Sequence, residues 1–364
     1  MALAIWLVTF CSFLLDVKHL STPSISRPPP DAPEVAVIVP ARNEAHQLQA
    51  CLRSLLAQDW PRLRVVCVDD RSEDGTYEVA AAIGDPRLTV VRGTELPPGW
   101  LGKNHANVQG VLHAGDATWL LFTDADTEHA PAALATAYAG AQQRGADLYT
   151  LLADVRCESF WELVIMPHVL AAIVMVFPVR LVNDPRSAMA IANGQFLFVR
   201  RAAYEAAGGH AAIRARVADD LELARLMKSR GFRLWVDAGR ELVSVRMYTS
   251  FRDIWWGFVK NAAAGSGGTL LAFLGAGVVA LMLLPFFALP FVHGAQLAMA
   301  GAAVALALGQ RAWMFALLFP VNPLWVLSLP VSGVIFIGIV LHSAVRQLTG
   351  RGPIWKGREY PHGH

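Results

Sequence analysis

Charge is what this sequence has least of. Only 16% of its 364 residues are Asp, Glu, Lys or Arg, against 54% hydrophobic. That balance is too apolar for an ordinary soluble domain. The formal net charge is only +2, so a nucleic-acid partner is not expected. Cysteine is sparse too. Cys11, Cys51, Cys67 and Cys157 are scattered, with neither disulfide nor metal-ligand spacing, and fit small buried thiols kept reduced in the cytoplasm.

The scarcity of charge is local. Residues 2–15 carry none. No basic stretch precedes them and no small-X-small site follows, so residues 1–20 are expected to be a retained membrane anchor, short for a span, rather than a cleaved signal. From Ala262 to Val345 the only charged residue is Arg311, which leaves room for two or three spans of about 20 residues each. These features imply a membrane region over 262–346 and a basic tail over 347–364. Residues 21–33 are a Pro-rich linker, read as an extended spacer. Most of the charge lies in 34–261.

Within 34–261, strand-like and helix-like runs alternate. Glu34–Pro40, Arg64–Val68, Leu88–Val91, Trp119–Thr123 and Leu148–Leu152 read as strands. Glu44–Ala57, Gly75–Ala82, His105–Ala114 and Ala130–Arg144 read as helices. Leu48, Leu52, Leu55 and Leu56 share one face of the first helix. Repeated βα units imply an α/β domain with a mostly parallel sheet covered by helices. Phe160–Val179 is apolar enough to meet a membrane, but Glu162, Pro167 and His168 argue against a simple span. An interfacial or re-entrant helix and a buried core helix both remain open.

Two acidic clusters follow strand-like runs: Asp69-Asp70-Arg71-Ser72 after Val65–Val68, and Asp124-Ala125-Asp126 after Trp119–Thr123. Carboxylates at the exits of parallel strands lie where open α/β sheets bind ligands. Asp-X-Asp is a compact way to hold a divalent cation, Mg²⁺ or Mn²⁺, against a diphosphate. Pro40-Ala41-Arg42-Asn43-Glu44 occupies the first strand-to-helix turn, and Asp69 through Thr76 the second. Gly99-Trp100-Leu101-Gly102-Lys103 lies between the clusters, and Lys103 at a helix start could meet phosphate or ribose. Asp219-Asp220 opens a later helix, where capping is the plain alternative.

This order of loops resembles the family 2 inverting glycosyltransferases of the GT-A fold. The resemblance implies a Rossmann-like catalytic domain with transmembrane helices at both ends of the chain. The first two loops would hold a nucleoside, with Pro40, Arg42, Glu44 and Asp69 or Asp70 on the donor. Lys103 and Asp124 would meet the sugar diphosphate, and Asp126 with Asp124 the metal. Asp220, with Asp219 as its neighbouring alternative, would be the base that takes the acceptor proton. Asn193-Gly194-Gln195-Phe196 resembles the acceptor side, so Gly194 and Gln195 could line the sugar pocket, and His210 is a weaker candidate. Trp256 reads equally as an interfacial anchor or a pocket residue, and Lys260 could meet phosphate or headgroups. The Gln-X-X-Arg-Trp motif of processive members is absent, which argues against a polysaccharide synthase.

The Gly-Trp-Leu-Gly-Lys stretch, Asn193–Phe196, Arg246-Met247-Tyr248 and the tail Trp355–Tyr360 together resemble the hopene-associated membrane glycosyltransferases. Carotenoid-acid and ceramide glycosyltransferases share similar pieces. The resemblance implies a UDP-sugar donor and a membrane lipid acceptor related to hopanoids. It also implies a multi-pass protein of the bacterial inner membrane with its catalytic domain in the cytoplasm. The alternatives are a carotenoid- or ceramide-type enzyme and a catalytically dead scaffold. Basic residues in the tail predict that it too is cytoplasmic. With an outside N-terminus that requires an even number of crossings after Asn261, yet three segments are visible, near 268–290, 292–310 and 322–345. One re-entrant segment, two merged segments or an outside tail would each resolve the parity.

Overall fold

A computed structural model describes residues 1–265, 268–319 and 321–349, plus the backbone of 354–355 and 358–359. Pro320 and most of the tail Trp355–Tyr360 therefore lie outside the described residues. Ten strands belong to the α/β domain: β1 Val35–Ala41, β2 Leu63–Asp69, β3 Leu88–Arg92, β4 Trp119–Phe122, β5 Thr127–His129, β6 Leu148–Leu152, β7 Asp154–Val155, β8 Leu197–Arg200, β9 Leu234–Ala238 and β10 Val243–Val245. Seven of them form one sheet in the order β3-β2-β1-β4-β8-β6-β9. Every neighbouring pair in it is parallel except the two that involve β8. A smaller sheet, β5-β10-β7, lies beside it.

The helices are α1 Ala2–Asp16, α2 Leu48–Leu56, α3 Thr76–Ala81, α4 Gly102–Leu112, α5 Ala133–Arg144, α6 Phe160–Val176, α7 Val179–Val182, α8 Arg201–Ala206, α9 Gly209–Ala212, α10 Asp219–Ser229, α11 Phe251–Gly265, α12 Thr269–Ala288, α13 Gly294–Leu318 and α14 Leu329–Leu348. All seven residues of β1 are buried, because side chains alternate between two covered faces. Val35, Val37 and Val39 pack with Leu48, Leu52 and Leu55 of α2 and with α5. Ala36 and Ile38 face the opposite layer, with Leu223, Ala224 and Met227 of α10.

Two expectations shift. The helix expected from Glu44 begins at Leu48. The N–H groups of Glu44 and Ala45 instead donate across to Thr76 Oγ1 (2.9 Å) and Asp74 Oδ2 (3.1 Å), which ties the first loop to the second. The Pro-rich segment is extended but not a free spacer. Ser21 O accepts from Ala238 N (2.8 Å), Ser26 N donates to Thr136 Oγ1 (3.1 Å), and Trp60 Nε1 donates to Pro33 O (3.0 Å). Its backbone groups are satisfied by the edge of the domain rather than by water alone.

Among the described residues, four helical segments are long and apolar enough to cross a membrane: Ala2–His19, Thr269–Phe291, Gly294–Leu318 and Pro323–Leu348. Their contacts set their directions. Trp6 packs with Ala303 and Ala307, and Phe13 with Met314 and Phe315, so α1 and α13 run parallel. Thr269 Oγ1 donates to Gln347 Oε1 (2.8 Å), while Gly333 abuts Leu283, so α12 and α14 run antiparallel. The short connection Leu289–His293 makes α12 and α13 a hairpin, with Met282 and Phe286 against Ala303 and Ala307. The C-terminal ends of α1, α13 and α14 therefore share one end of the bundle with the start of α12. Arg240 of the α/β domain donates to Leu317 O (3.1 Å) at that end. The stretch after α13, which includes a 3₁₀ turn over Pro323–Ser328, carries the chain back so that α14 can return.

Helix α6 joins the two parts. A reciprocal Ser159–Glu162 capping box starts it. Val164, Ile165 and Val169 pack with Val245 and Ile254, and Ala171 packs with Phe13, Met314 and Phe315. Phe160 and Trp161 remain exposed at its start. Glu162 is buried and bound in two-point fashion by Arg246, Nε to Oε1 and Nη2 to Oε2, both 3.0 Å. Burial opposes the charge on Glu162, but the Arg246 and Ser159 bonds outweigh it and pull its carboxyl down to about 2.

Candidate active site

The site forms at the C-terminal edge of the main sheet, where β1, β2 and β4 end. The first two loops brace each other. Arg42 Nη1 donates to the carbonyls of Asp70 (2.6 Å) and Arg71 (3.0 Å). Asn43 N donates to Ser72 Oγ (3.0 Å), and Glu73 N to Asn43 Oδ1 (3.0 Å). Arg42, Glu44, Asp69 and Asp70 are all buried. Asn43 and Arg71 take positive φ, 52° and 56°, a conformation held by these cross-loop bonds. Pro40 lies beyond Ile38, the last residue of β1 paired to β4, so a residue without an N–H costs nothing on that side. His105 is enclosed beside Trp100 and bonded to Gln109 Nε2 (3.1 Å). Burial lowers its pKa despite the nearby Asp70.

Strand β8 assembles the other half. It runs antiparallel to β4, so its beginning lies beside the end of β4. Thr123 Oγ1 donates to Gln195 O (2.8 Å) and fixes that junction. Gly194 thereby sits among the charged groups. A Cβ on it would lie 3.3 Å from Asp220 Oδ2, 3.4 Å from Lys103 Nζ and 3.5 Å from Asp124 Oδ2. Gly194 N itself donates to Asp220 Oδ2 (3.1 Å). A side chain there would be tight against Asp220 Oδ2 and in contact with the other two, so the glycine leaves this face of the cluster open.

Lys103 ties the carboxylates together, with Nζ 2.7 Å from Asp124 Oδ1 and 3.2 Å from Asp219 Oδ2. Its position comes from α4, which begins at Gly102, three residues earlier than expected. Asn104 Nδ2 donates to the carbonyls of Ile213 (3.0 Å), Arg214 (3.2 Å) and Arg216 (3.0 Å). That clamp draws the segment before Asp219 against α4.

The two neighbouring carboxylates are driven apart electrostatically. Burial and the Asp219 charge push Asp220 up to about 6, against the pull of Lys103. Burial acts the same way on Asp219, but Lys103 outweighs it and holds that carboxyl below its ordinary value. Burial likewise opposes the charge on Lys103, which Asp124, Asp219 and Asp220 nevertheless hold cationic. Asp219 is thus a fixed anion, and Asp220 is a carboxylate poised to accept a proton near neutrality.

Lys260 of α11 feels the same cluster. Burial and Lys103 lower its pKa, while Asp219, Asp124 and Asp220 raise it. Tyr248 is raised by burial and then by Asp126 and Asp124, so it borders the β4 carboxylates. Only its place in Arg246-Met247-Tyr248 marked it in the sequence, and nothing local ties it to Asp126. Trp256 is not brought to the cluster. Its ring meets His342 (5.2 Å) and lies under Arg346 (5.6 Å). His210 is fully buried, with ring nitrogens engaged by Asn107 (3.2 Å) and Tyr204 (3.0 Å).

The groups gathered at the β4 end are carboxylates and ammonium groups. Among the described residues, no set of three or more His, Cys, Asp or Glu forms a ready-made metal cage. One or two carboxylates are nonetheless what Mg²⁺ or Mn²⁺ takes from a protein when waters and phosphate oxygens complete its shell. Asp124 and Asp126 fit that requirement.

Residues 36–208 match the family model described as glycosyl transferase family 2. The 4,4'-diaponeurosporenoate glycosyltransferase of Staphylococcus aureus strain USA300 is 28% identical over 240 residues, 65% of this chain and 62% of that protein. The enzyme of strain MRSA252 matches with the same identity and coverage. The chain thus spans 62% of the length of these curated relatives. Among solved structures, a mannosyltransferase of Pyrobaculum calidifontis in complex with GDP-Man and Mn²⁺ aligns with a TM-score of 0.54 at 22% identity, covering 96% of this chain and 99% of that one. The likeness to that structure is one of fold.

Proposed function

Starting from a family 2 glycosyltransferase domain over residues 36–208, we propose that this protein is an inverting, membrane-bound glycosyltransferase. It moves a sugar from a nucleotide diphosphate, read as UDP, to a polar group of a membrane lipid. The observation that carries the reading is the convergence of Asp124, Lys103, Asp219 and Asp220 around Gly194, with Asp220 pushed up to about 6.

Each group has a task. Arg42, Glu44, Asp69 and Asp70 belong to the braced loops that receive the nucleoside, where carboxylates accept from base N–H and ribose hydroxyls. Lys103 and Lys260 lie where a diphosphate would bring negative charge. Donor binding gives Lys103 phosphate oxygens to pair with and frees Asp124. Asp124 and Asp126 would then hold a divalent cation, which supplies Lewis-acid stabilisation of the departing diphosphate. Asp220 takes the acceptor proton as the acceptor oxygen attacks the anomeric carbon; Gly194 N and Leu221 N orient it, and the Asp219 charge raises its affinity for the proton. The exposed start of α6 and the apolar bundle beside it suit a lipid acceptor.

The mannosyltransferase that shares the fold was solved with Mn²⁺, which supports the cation. The Staphylococcus relatives are named for a carotenoid acid, which favours a carotenoid-type acceptor as the second reading beside the hopanoid-related one. The domain and the C-terminal ends of α13 and α14 lie at one end of the bundle, which favours reading both as cytoplasmic, with the segment before α14 as the returning one. The test is transfer of radiolabelled sugar from UDP- and GDP-sugars to lipid extract by purified full-length protein. Asp126→Ala is expected to abolish transfer and its dependence on Mn²⁺. Full transfer by that variant would refute the assignment.

A further inference from the structure

Arg311 is the one charged residue between Ala262 and Val345, and the catalytic cluster does not use it. It sits on α13, seven residues before the last residue of the helix, about 10 Å along the axis from the end shared with the catalytic domain. It is 5% exposed. Three and four residues further along the same helix, Met314 and Phe315 pack with Phe13 of α1 and Ala171 of α6. Among the described residues its one hydrogen bond runs from Nη1 to His168 O at 3.5 Å, and its buried Nε has none. No carboxylate among the described residues acts on it.

His168, in the same seam, has a second unmet polar atom. Its Nε2 faces Trp325 O (3.1 Å) and Ser328 Oγ (3.0 Å) in the returning segment, while its buried Nδ1 has no partner. The polar group next along α13, Gln310, is by contrast satisfied. It donates to Thr9 O (3.2 Å) and accepts from Thr9 Oγ1 (3.4 Å). A guanidinium is the side chain least able to shed its charge. Buried in an apolar bundle without an anion, it is costly, and such residues mark ligand sites or partners.

We propose that Arg311 and His168, between α1, α6 and α13, bind the anionic headgroup, phosphate or carboxylate, of a membrane amphiphile. The proposal rests on these helices being membrane-spanning, not on the sugar-transfer reading. Guanidinium is matched in shape to both oxyanions and can bind either through two parallel hydrogen bonds. The depth of Arg311 places the headgroup near the interface on the catalytic side, with the chain running along the bundle.

The test is binding rather than activity. Full-length protein in neutral-lipid nanodiscs is titrated with phosphatidate, oleate, a neutral chain-matched diacylglycerol and inorganic phosphate, and thermal stability and native mass spectra are recorded. Saturable stabilisation by phosphatidate or oleate, absent with diacylglycerol and with inorganic phosphate, is expected, and which of the two acts identifies the headgroup. Arg311→Gln is expected to weaken it by about tenfold or more, the scale of one charged hydrogen-bonding group, and Arg311→Lys to retain part of it. Since Arg311→Gln removes an unpaired buried charge, it is expected to remain folded without ligand. If it fails to fold, His168→Phe provides the second reading, with weakened binding expected. Equal responses to neutral and anionic amphiphiles, a response to inorganic phosphate alone, or unchanged binding in the variants would overturn the proposal. Loss of sugar transfer through Asp126→Ala leaves this binding intact.

Discussion

Replacing Asp220 by Asn separates a catalytic base from a structural cap, because the two roles predict opposite signs. The Asp220 carboxyl is raised from 3.8 to about 6, chiefly by burial and by Asp219. A group raised on folding contributes stability that is full below its unfolded value and lost as pH rises through its folded one. By about pH 7.5 the loss approaches about 3 kcal/mol, at 1.36 kcal/mol per unit, less what solvent screens at this part-exposed residue. Asn cannot ionise and recovers that loss, but it forfeits one of the two bonds accepted from Gly194 N and Leu221 N, about 1 kcal/mol. The variant is therefore expected to be about 1–2 kcal/mol more stable than wild type near pH 7.5 and no more stable near pH 4.5. Its transfer rate should fall by about 10²–10⁴-fold. The wild-type kcat/KM should drop as pH falls through about 6, the limb on which the base of the free enzyme is protonated. Denaturation in detergent at the two pH values, with initial rates across the range, decides between the roles. A stable enzyme within tenfold of wild-type rate, or a variant that loses stability at pH 7.5, would refute the assignment of Asp220 as base.

The same geometry sets three further outcomes. Gly194→Ala sets a methyl among Asp220, Lys103 and Asp124 at 3.3–3.5 Å, so transfer should fall at least about tenfold, a 1.4 kcal/mol effect, while melting shifts by only a few degrees. Lys103→Met leaves Asp124 and Asp219 without their shared cation; the apo variant should melt lower than wild type, and Mn²⁺ should raise its melting temperature more than that of wild type. Glu162→Gln weakens the two-point Arg246 pair. With Glu162 lowered from 4.5 to about 2, up to about 3 kcal/mol is present above pH 4.5 and lost as pH falls through about 2, so the variant's deficit should be largest at neutral pH and shrink towards pH 3.

Much of the catalytic half was legible in the chain. Strands β1, β2, β3, β4 and β6 stand within a residue or so of their expected positions; in β1, β2 and β4 both-face burial demands the nearly unbroken apolar runs that marked them. The acidic loops were legible for a related reason: polar residues directly after such runs have to sit at the strand exits. Strands β8, β9 and β10 were not visible. Phe196–Val199 is an apolar run like that of β4, but the segment was read only for its Asn193–Phe196 motif, and Leu234–Ala238 is too short and mixed to mark a strand before its partner β6 is known. Helix α2 was drawn too long because its first N–H groups serve Thr76 and Asp74, thirty residues away in sequence.

By itself, the sequence determined the alternation of elements, the identity and order of the acidic loops, and the apolar ends of the chain. These depend on residue type and on neighbours within a few positions. Tertiary structure alone decided that β8 runs backwards, so that Gly194 meets the end of β4. It also decided that Asn104 draws Asp219 to Lys103, and that α13 and α14 point the same way. Each of these depends on pairing between segments far apart in the chain. The charge state of Asp220 depends on it most, because burial and a neighbour's field exist only once the chain has folded around them.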